Sequence, residues 1–146
     1  MTASNNLKTL LLSAQSELGR SAVVLERVYE QLLTKDLREL LRNDDLLIDA
    51  STARFARTCD ILVRKVWRLI KLIETDEQGS IIDIFNYADK IGLFEDDGSM
   101  VKIREVRNAI AHDYATEDLL TIVSDVKHLT PSLLEAAKIA AEYQIK

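Results

Sequence analysis

The segment with the most chemically active side chains is 107–114, which reads Arg-Asn-Ala-Ile-Ala-His-Asp-Tyr. The imidazole of His112 can accept or donate a proton near neutral pH. The guanidinium of Arg107 can stabilise charge on a phosphoryl group through paired N–H donors, and the amide of Asn108 can orient the histidine or a phosphate. Together they could cleave RNA without a metal, because the histidine can assist attack by the ribose 2′-hydroxyl or protonate the leaving 5′-oxygen.

A helical wheel places these side chains on a predicted helix that runs from about Ser99 to His112 or Asp113. Its apolar face is formed by Ile103, Val106 and Ile110. Its polar ridge, at spacings of four residues, is formed by Arg104, Asn108 and His112. Arg107 and His112 are ~140° apart around the axis, so one helix cannot point both at a single small atom. The spacing predicts a site at a helix–helix seam, which a second copy of the helix could complete.

The same residues also have an ordinary structural interpretation. A histidine in the last turn of a helix is favoured there by the helix dipole, and arginines on helix surfaces are common. On residue types alone, this interpretation is favoured over a catalytic one.

The composition predicts a single all-helical domain over residues 1–146. Apolar residues make up 47% of the chain, which is enough for a buried core. Only four Gly and one Pro are present, too few for the many turns of an all-β protein. The net charge of −5 disfavours nucleic-acid binding on global charge, so RNA binding requires a local basic patch.

Cys59 is the only cysteine, so the chain has no partner for an internal disulfide and no Cys/His cluster for zinc. We therefore expect neither a metal nor a cofactor. The chain does not start with a basic region followed by an apolar stretch, and no apolar run approaches the ~20 residues of a membrane span. These features predict a soluble cytoplasmic protein with no membrane partner.

Hydrophobic periodicity predicts about five helices with short connections, arranged as an antiparallel up-and-down bundle. The first helix starts after Ser4 or Asn5, and its pattern can continue through Leu41. Residues 43–45 form a break and a new cap, which opens a second helix that runs to about Glu74.

The remaining helices have recognisable start and stop signals. Residues 80–83 resemble a capping box and open a short helix that ends at Gly92. The helix that carries the motif follows. Thr116 is the predicted cap of the last helix, which Pro131 must kink or restart because proline lacks the N–H donor.

The second helix carries a cationic face opposite its apolar one. At 100° per residue, an arc of ~120° contains Arg54, Arg57, Arg64, Lys65, Arg68 and Lys71. Asp60 is the only acidic residue that dilutes this face, and Trp67 lies between the faces as predicted boundary packing. Two interpretations stay open: an ordinary solvated face, or a strip that binds phosphates or an acidic partner.

The motif segment resembles the Arg-x4-His-x-Tyr signature of HEPN proteins, particularly HepT-like toxins and the substrate-binding partners of small nucleotidyltransferases. Arg107, His112 and Tyr114 match the signature. Residues 54–67 also look like the second helix of that group, and residues 88–93 resemble the segment that precedes its motif helix. With Pro131 in the last helix, the resemblance covers nearly the whole chain.

The resemblance implies a HEPN helical bundle, dimerised so that two motif helices line one cleft. It implies that Arg107 and His112 are catalytic in an RNase, supported by Asn108 and Arg104. It further implies a toxin–antitoxin pair whose other half is an MntA-like nucleotidyltransferase, which silences the toxin by adenylylating Tyr114. An AMP group there would place an anionic phosphate two residues from the histidine, where it could pair with a nearby arginine and block substrate.

Two further hypotheses remain. The chain could instead be a non-catalytic binding subunit for a minimal nucleotidyltransferase, with the same ridge holding a nucleotide or the partner. A purely structural helical adaptor is the weakest hypothesis, because it leaves the complete motif unexplained.

Overall fold

The computed structural model describes residues 3–112 and 116–146, and every regular element in these ranges is a helix. The predicted all-α class is therefore confirmed. The six helices are α1 Ala3–Leu33, α2 Leu37–Asn43, α3 over 45–75, α4 Ile81–Lys90, α5 Ser99–Ile110 and α6 Thr116–Glu142. None of the helices in the described ranges has the combination of length and apolar character that a membrane span needs.

The helices pack around one continuous apolar core. The long helices α1, α3 and α6 pack against one another, α5 lies against α3 and α6, and α4 lies against α3. Leu18, Leu62 and Val123 are fully buried representatives of the three long helices. The motif helix is thus held between α3 and α6, so residues from either of these helices can reach its side chains.

The predicted continuation of the first helix through Leu41 was wrong. The helix ends at Leu33, and Asp36 caps a separate helix by accepting a hydrogen bond from the backbone N–H of Glu39 at 2.8 Å. A side-chain cap offers the backbone an alternative to continuing the helix, and the apolar periodicity does not register it. For this reason six helices are present in the described ranges rather than about five.

The predicted cap at 43–45 is confirmed, because the Asp44 side chain accepts from the N–H of Leu47 at 3.1 Å. The α3 helix then runs to Thr75 in three stretches: α-helical Asp45–Asp60, π-helical Ile61–Trp67 and α-helical Arg68–Thr75. Hydrogen bonds in a π-helix span five residues, so each turn holds more residues than in an α-helix. A wheel drawn at 100° per residue therefore loses its phase across this stretch.

Trp67 shows the effect of the π-helical stretch most clearly. Its side chain is 1% exposed, stacks on Phe94 with ring centroids 5.3 Å apart, and meets Phe85 edge-on at 5.3 Å. The residue is a centre of the core rather than boundary packing. A base-stacking role is excluded by its burial.

The capping box that opens α4 is confirmed. The N–H of Asp83 donates to Ser80 Oγ at 3.2 Å, and the N–H of Ser80 donates to Asp83 Oδ2 at 2.8 Å. Gly79 precedes it with φ at +75°, and a Cβ added there would lie 2.8 Å from Asp83 Cβ. The turn therefore requires glycine both for its backbone conformation and for space.

We expect alanine to have opposite effects at Gly79 and at Gly19. Gly79→Ala should lower the free energy of unfolding by ~1–2 kcal/mol, because it forces a left-handed backbone on a residue with a Cβ and crowds the cap. Gly19 lies within α1 with nothing within 4 Å of an added Cβ. Gly19→Ala is the matched control and should raise that free energy by ~0.5–1 kcal/mol. Urea denaturation measures both, and two changes of the same sign would contradict this account.

The helices around the motif test two further expectations. The α5 helix ends at Ile110, before His112, so the predicted end at residue 112 or 113 was wrong. The α6 helix passes through Pro131 as one helix, so of the two predicted effects of the proline, a kink or a restart, the restart does not occur. The side chains of Thr116 and Glu117 lie outside the described residues, so the predicted cap there stays a prediction.

Candidate functional site

Arg107, the predicted catalytic arginine, is held by Asp60 of α3. Its Nε donates to Asp60 Oδ1 at 2.6 Å, and its Nη2 donates to Asp60 Oδ2 at 3.0 Å. This two-point pair fixes the plane of the guanidinium as well as its position. Hydrogen bonding to the carboxylate raises the pKa of Arg107 above its ordinary value, so the side chain remains a cation. It is 24% exposed and so remains reachable from solvent.

Two more motif-helix side chains lie beside this pair. Asn108 Oδ1 accepts from Arg107 Nη1 at 3.3 Å. The Arg104 guanidinium lies over the ring of Phe85, 5.6 Å from its centroid, in a cation–π contact. The structure therefore brings Arg104, Arg107 and Asn108 together beside one cleft, while their supporting and catalytic roles stay predictions.

These side chains line a small cleft between α3, α4 and α5 of about 50 Å³, which we call the arginine cleft. Its polar lining residues are Asp60, Arg64, Arg104, Arg107 and Asn108. Three arginines against one aspartate leave this cleft net positive, although the chain as a whole is acidic. A local cationic site of this kind is what an acidic protein needs in order to bind a phosphate.

His112 lies on the other side of α5. It is exposed and sits beyond the end of the helix, where its N–H donates to the carbonyl of Ala109 at 3.2 Å. It opens into a groove of about 580 Å³ between α5 and α6. Because α5 ends at Ile110, the predicted ridge of Arg104, Asn108 and His112 stops at Asn108.

The groove beside His112 differs from the arginine cleft in charge. Its lining includes the carboxylates of Glu105, Asp118 and Asp125 against one lysine, Lys102. Repulsion from these carboxylates disfavours the binding of a polyanion in this groove. Within one chain, Arg107 and His112 therefore line different cavities.

The predicted cationic face of α3, for which a solvated face and a binding strip were both open interpretations, does not include all six of its residues. Lys71 is 8% exposed and its Nζ donates to the carbonyl of Glu77 at 2.9 Å, so it is not part of an exposed surface. The π-helical stretch between Asp60 and Arg68 explains why Lys71 was wrongly placed on this face, because it rotates later residues away from their positions on a regular wheel.

Most of the other basic side chains on α3 are already engaged. Lys65 and Arg57 both lie near Glu17 of α1, at 3.0 and 3.7 Å. Arg68 Nε donates to the carbonyl of Arg64 at 2.8 Å. Arg54 is half-buried. Of the predicted basic face, Arg64, 3.9 Å from Asp60, is the residue that reaches the arginine cleft.

Sequence reasoning missed the part that Asp60 plays. In the sequence, Asp60 is only an acidic residue on a predicted cationic face, whereas in the structure its carboxylate pairs with Arg107 of the motif. The signal in the sequence is that Asp60 is the single acidic residue on a face otherwise formed by cations, one turn before Arg64. The pairing with a residue 47 positions later required the packing of α5 on α3.

Of two other residues of chemical interest, Cys59 and Tyr114, the structure describes the cysteine. Burial raises the pKa of the Cys59 thiol to about 12, so the thiol stays protonated at neutral pH and is a poor nucleophile. Tyr114, the predicted modification site, and its neighbour Asp113 lie outside the described residues. Among residues 3–112 and 116–146, no group of three His, Cys, Asp or Glu side chains is arranged to hold a metal ion.

No protein-family model, curated protein or solved structure matches the chain.

Proposed function

We propose that the chain is a metal-independent endoribonuclease of the HEPN type that acts as the toxin of a toxin–antitoxin pair. The observation that carries the proposal is the fixed guanidinium of Arg107 in a cationic cleft, on the helix whose motif also supplies His112. An always-charged, oriented arginine and a solvent-exposed imidazole are the two groups that RNA transesterification without a metal needs.

The reaction can be written with these groups alone. The ribose 2′-oxygen attacks the adjacent phosphorus, the bond from phosphorus to the 5′-oxygen breaks, and the products carry a 2′,3′-cyclic phosphate and a 5′-hydroxyl. One imidazole takes the proton of the 2′-hydroxyl or returns a proton to the leaving 5′-oxygen. The N–H groups of Arg107 stabilise the charge that develops on the non-bridging phosphate oxygens.

A homodimer is part of this proposal. Within one chain, Arg107 and His112 line cavities on different sides of α5. A second copy would bring another motif segment to the same seam, so that an arginine cleft and an imidazole could face one phosphate. It would also supply a second imidazole, one for each of the two proton transfers.

Control by an MntA-like nucleotidyltransferase is proposed from the motif tyrosine. Adenylylation of Tyr114 would put a phosphodiester two residues from His112 in sequence. The phosphodiester anion would compete with the RNA phosphate for the arginines. Competition of this kind is how one AMP group would silence the toxin.

Expression of the chain alone is expected to arrest bacterial growth, and His112→Ala should relieve the arrest because the proton-transfer group is lost. His128→Ala is the matched control: it removes the other histidine of the chain, which lies on α6 and lines the same groove as His112 without belonging to the motif, and it should remain toxic. Growth curves at equal expression, checked by immunoblot, measure the effect. Equal toxicity of His112→Ala and wild type would rule out the proposed role of this residue.

The placement of Arg107 and His112 on different cavities also favours one alternative. In it the chain is a non-catalytic subunit of a minimal nucleotidyltransferase, and the arginine cleft holds a nucleotide phosphate. This alternative predicts stable complex formation with the transferase and intact RNA in a buffer that contains chelator.

A further inference from the structure

We infer that Asp60 is a positioning residue for Arg107, which holds one edge of the guanidinium so that another edge is presented to the RNA phosphate. This inference deepens the proposed function and rests on it. The sequence motif contains no such residue, because Asp60 lies on α3 rather than on the motif helix.

The geometry leaves donors free. A guanidinium carries five N–H groups in a planar fork, and Asp60 takes the edge made by Nε and one N–H of Nη2, at 2.6 and 3.0 Å. Nη1 gives one long bond, 3.3 Å, to Asn108. Three of the five N–H groups are therefore used, and two remain, one on each Nη atom. These are the donors that a phosphate oxygen can accept from while Asp60 holds the guanidinium.

The helix that carries Asp60 is itself firmly placed. Asp60 is the last α-helical residue before the π-helical stretch, and Ile61, Leu62 and Val63 that follow it are all buried in the core. The carboxylate therefore projects from a backbone that packing fixes. Because the arginine side chain has many rotamers of its own, a carboxylate on a rigid helix restricts it to one direction at little further cost.

An opposite role is conceivable for the same contact, in which Asp60 occupies Arg107 and keeps RNA out. The two roles predict opposite changes in kcat when the Asp60 carboxylate is removed. Removal of the Asp60 charge leaves Arg64, Arg104 and Arg107 uncompensated, so attraction for RNA must rise in either case. A positioning role predicts that kcat falls while KM does not rise. A blocking role predicts that both kcat and kcat/KM increase.

The experiment compares Asp60→Asn, Asp60→Ala and Asp60→Glu in steady-state cleavage of an RNA oligonucleotide. The asparagine amide places an N–H₂ group against Nη2 of Arg107, so one of the two bonds is lost, and we expect a fall in kcat of about 10-fold, with a larger fall for alanine. Glutamate keeps the charge and should restore part of kcat. Asp49→Asn is the matched control, an exposed aspartate on the same helix whose loss should leave kcat unchanged.

A second measurement does not depend on activity. The Nε–H of Arg107 should give a distinct, slowly exchanging resonance in a nitrogen–proton NMR spectrum of wild type and Asp49→Asn, assigned by its loss in Arg107→Lys. It should exchange rapidly in Asp60→Ala, which removes both acceptors of the pair. An unchanged resonance in Asp60→Ala would overturn the inference.

The kinetic outcomes separate this inference from the proposed function. Wild-type protein that leaves RNA intact would overturn the nuclease proposal, and with it the role of Asp60 in cleavage, while the NMR comparison still decides whether Asp60 fixes Arg107. An active wild type with unchanged or raised kcat in Asp60→Asn would overturn the positioning role alone. Parallel losses in kcat and in affinity, with no restoration by glutamate, would also overturn it.

Discussion

Replacement of Arg107 by alanine is expected to lower kcat for RNA cleavage by ~10²–10³-fold, the range for loss of one preorganised donor to a developing oxyanion. Arg107→Lys should not restore the rate. A lysine ammonium has no planar fork, so it cannot pair two-point with Asp60 and still offer two further donors to phosphate. Single-turnover cleavage of a labelled RNA measures the chemical step directly.

The matched control for this substitution is Arg20→Ala. Arg20 is an exposed arginine on α1 whose Nη1 donates to Ser16 Oγ at 2.8 Å, and it lies outside the arginine cleft. The Arg20→Ala variant should cleave RNA at the wild-type rate. Circular dichroism should show all variants folded, because Asp60 is 38% exposed and stays solvated when its partner is removed. An Arg107→Ala rate within threefold of wild type would contradict the assigned role.

Trp67→Ala is expected to lower the free energy of unfolding by ~3–5 kcal/mol, because it removes the largest fully buried side chain of the core and leaves a cavity. Trp67→Phe should lower the free energy of unfolding by much less. Phenylalanine keeps an aromatic ring against Phe85 and Phe94, and the Nε1–H that it removes has no hydrogen-bond partner in the described part of the chain.

Urea denaturation measures the free energies of unfolding of the two Trp67 variants. Far-ultraviolet circular dichroism is the signal, because both substitutions remove the only tryptophan and its fluorescence. Leu46→Ala is the control, because Leu46 is 83% exposed and its truncation should change the free energy of unfolding by less than ~0.5 kcal/mol. A cost below about 1 kcal/mol for Trp67→Ala would mean that the π-helical stretch does not anchor the core.

The parts of the fold that depend on local sequence could be predicted. The cap at Asp44, the box formed by Ser80 and Asp83, and the end of α3 near Glu74 all follow from residues within one turn of each other. The break at Asp36 was missed because the apolar spacing on its two sides remains in phase. The π-helical stretch was missed because a regular wheel assumes one hydrogen-bonding pattern throughout a helix.

The site could be predicted only in part, for a related reason. Arg104 and Asn108 share a helix face, which their spacing of four residues reveals, and Arg107 joins them in the cleft from beside that face. Asp60 joins them only through the packing of α5 on α3, and no local pattern encodes that pairing. The end of α5 at Ile110 removes His112 from the ridge, and helix ends are the least certain feature of any periodic pattern.

The central claim is that this chain cleaves RNA through its motif and without a metal. The most direct measurement is incubation of the purified chain with RNA in a buffer that contains EDTA, with the products separated on a gel and their ends identified. The account predicts that wild type yields fragments with 2′,3′-cyclic phosphate and 5′-hydroxyl ends, and that His112→Ala yields none above background. Intact RNA with wild type, or equal cleavage by His112→Ala, would contradict it.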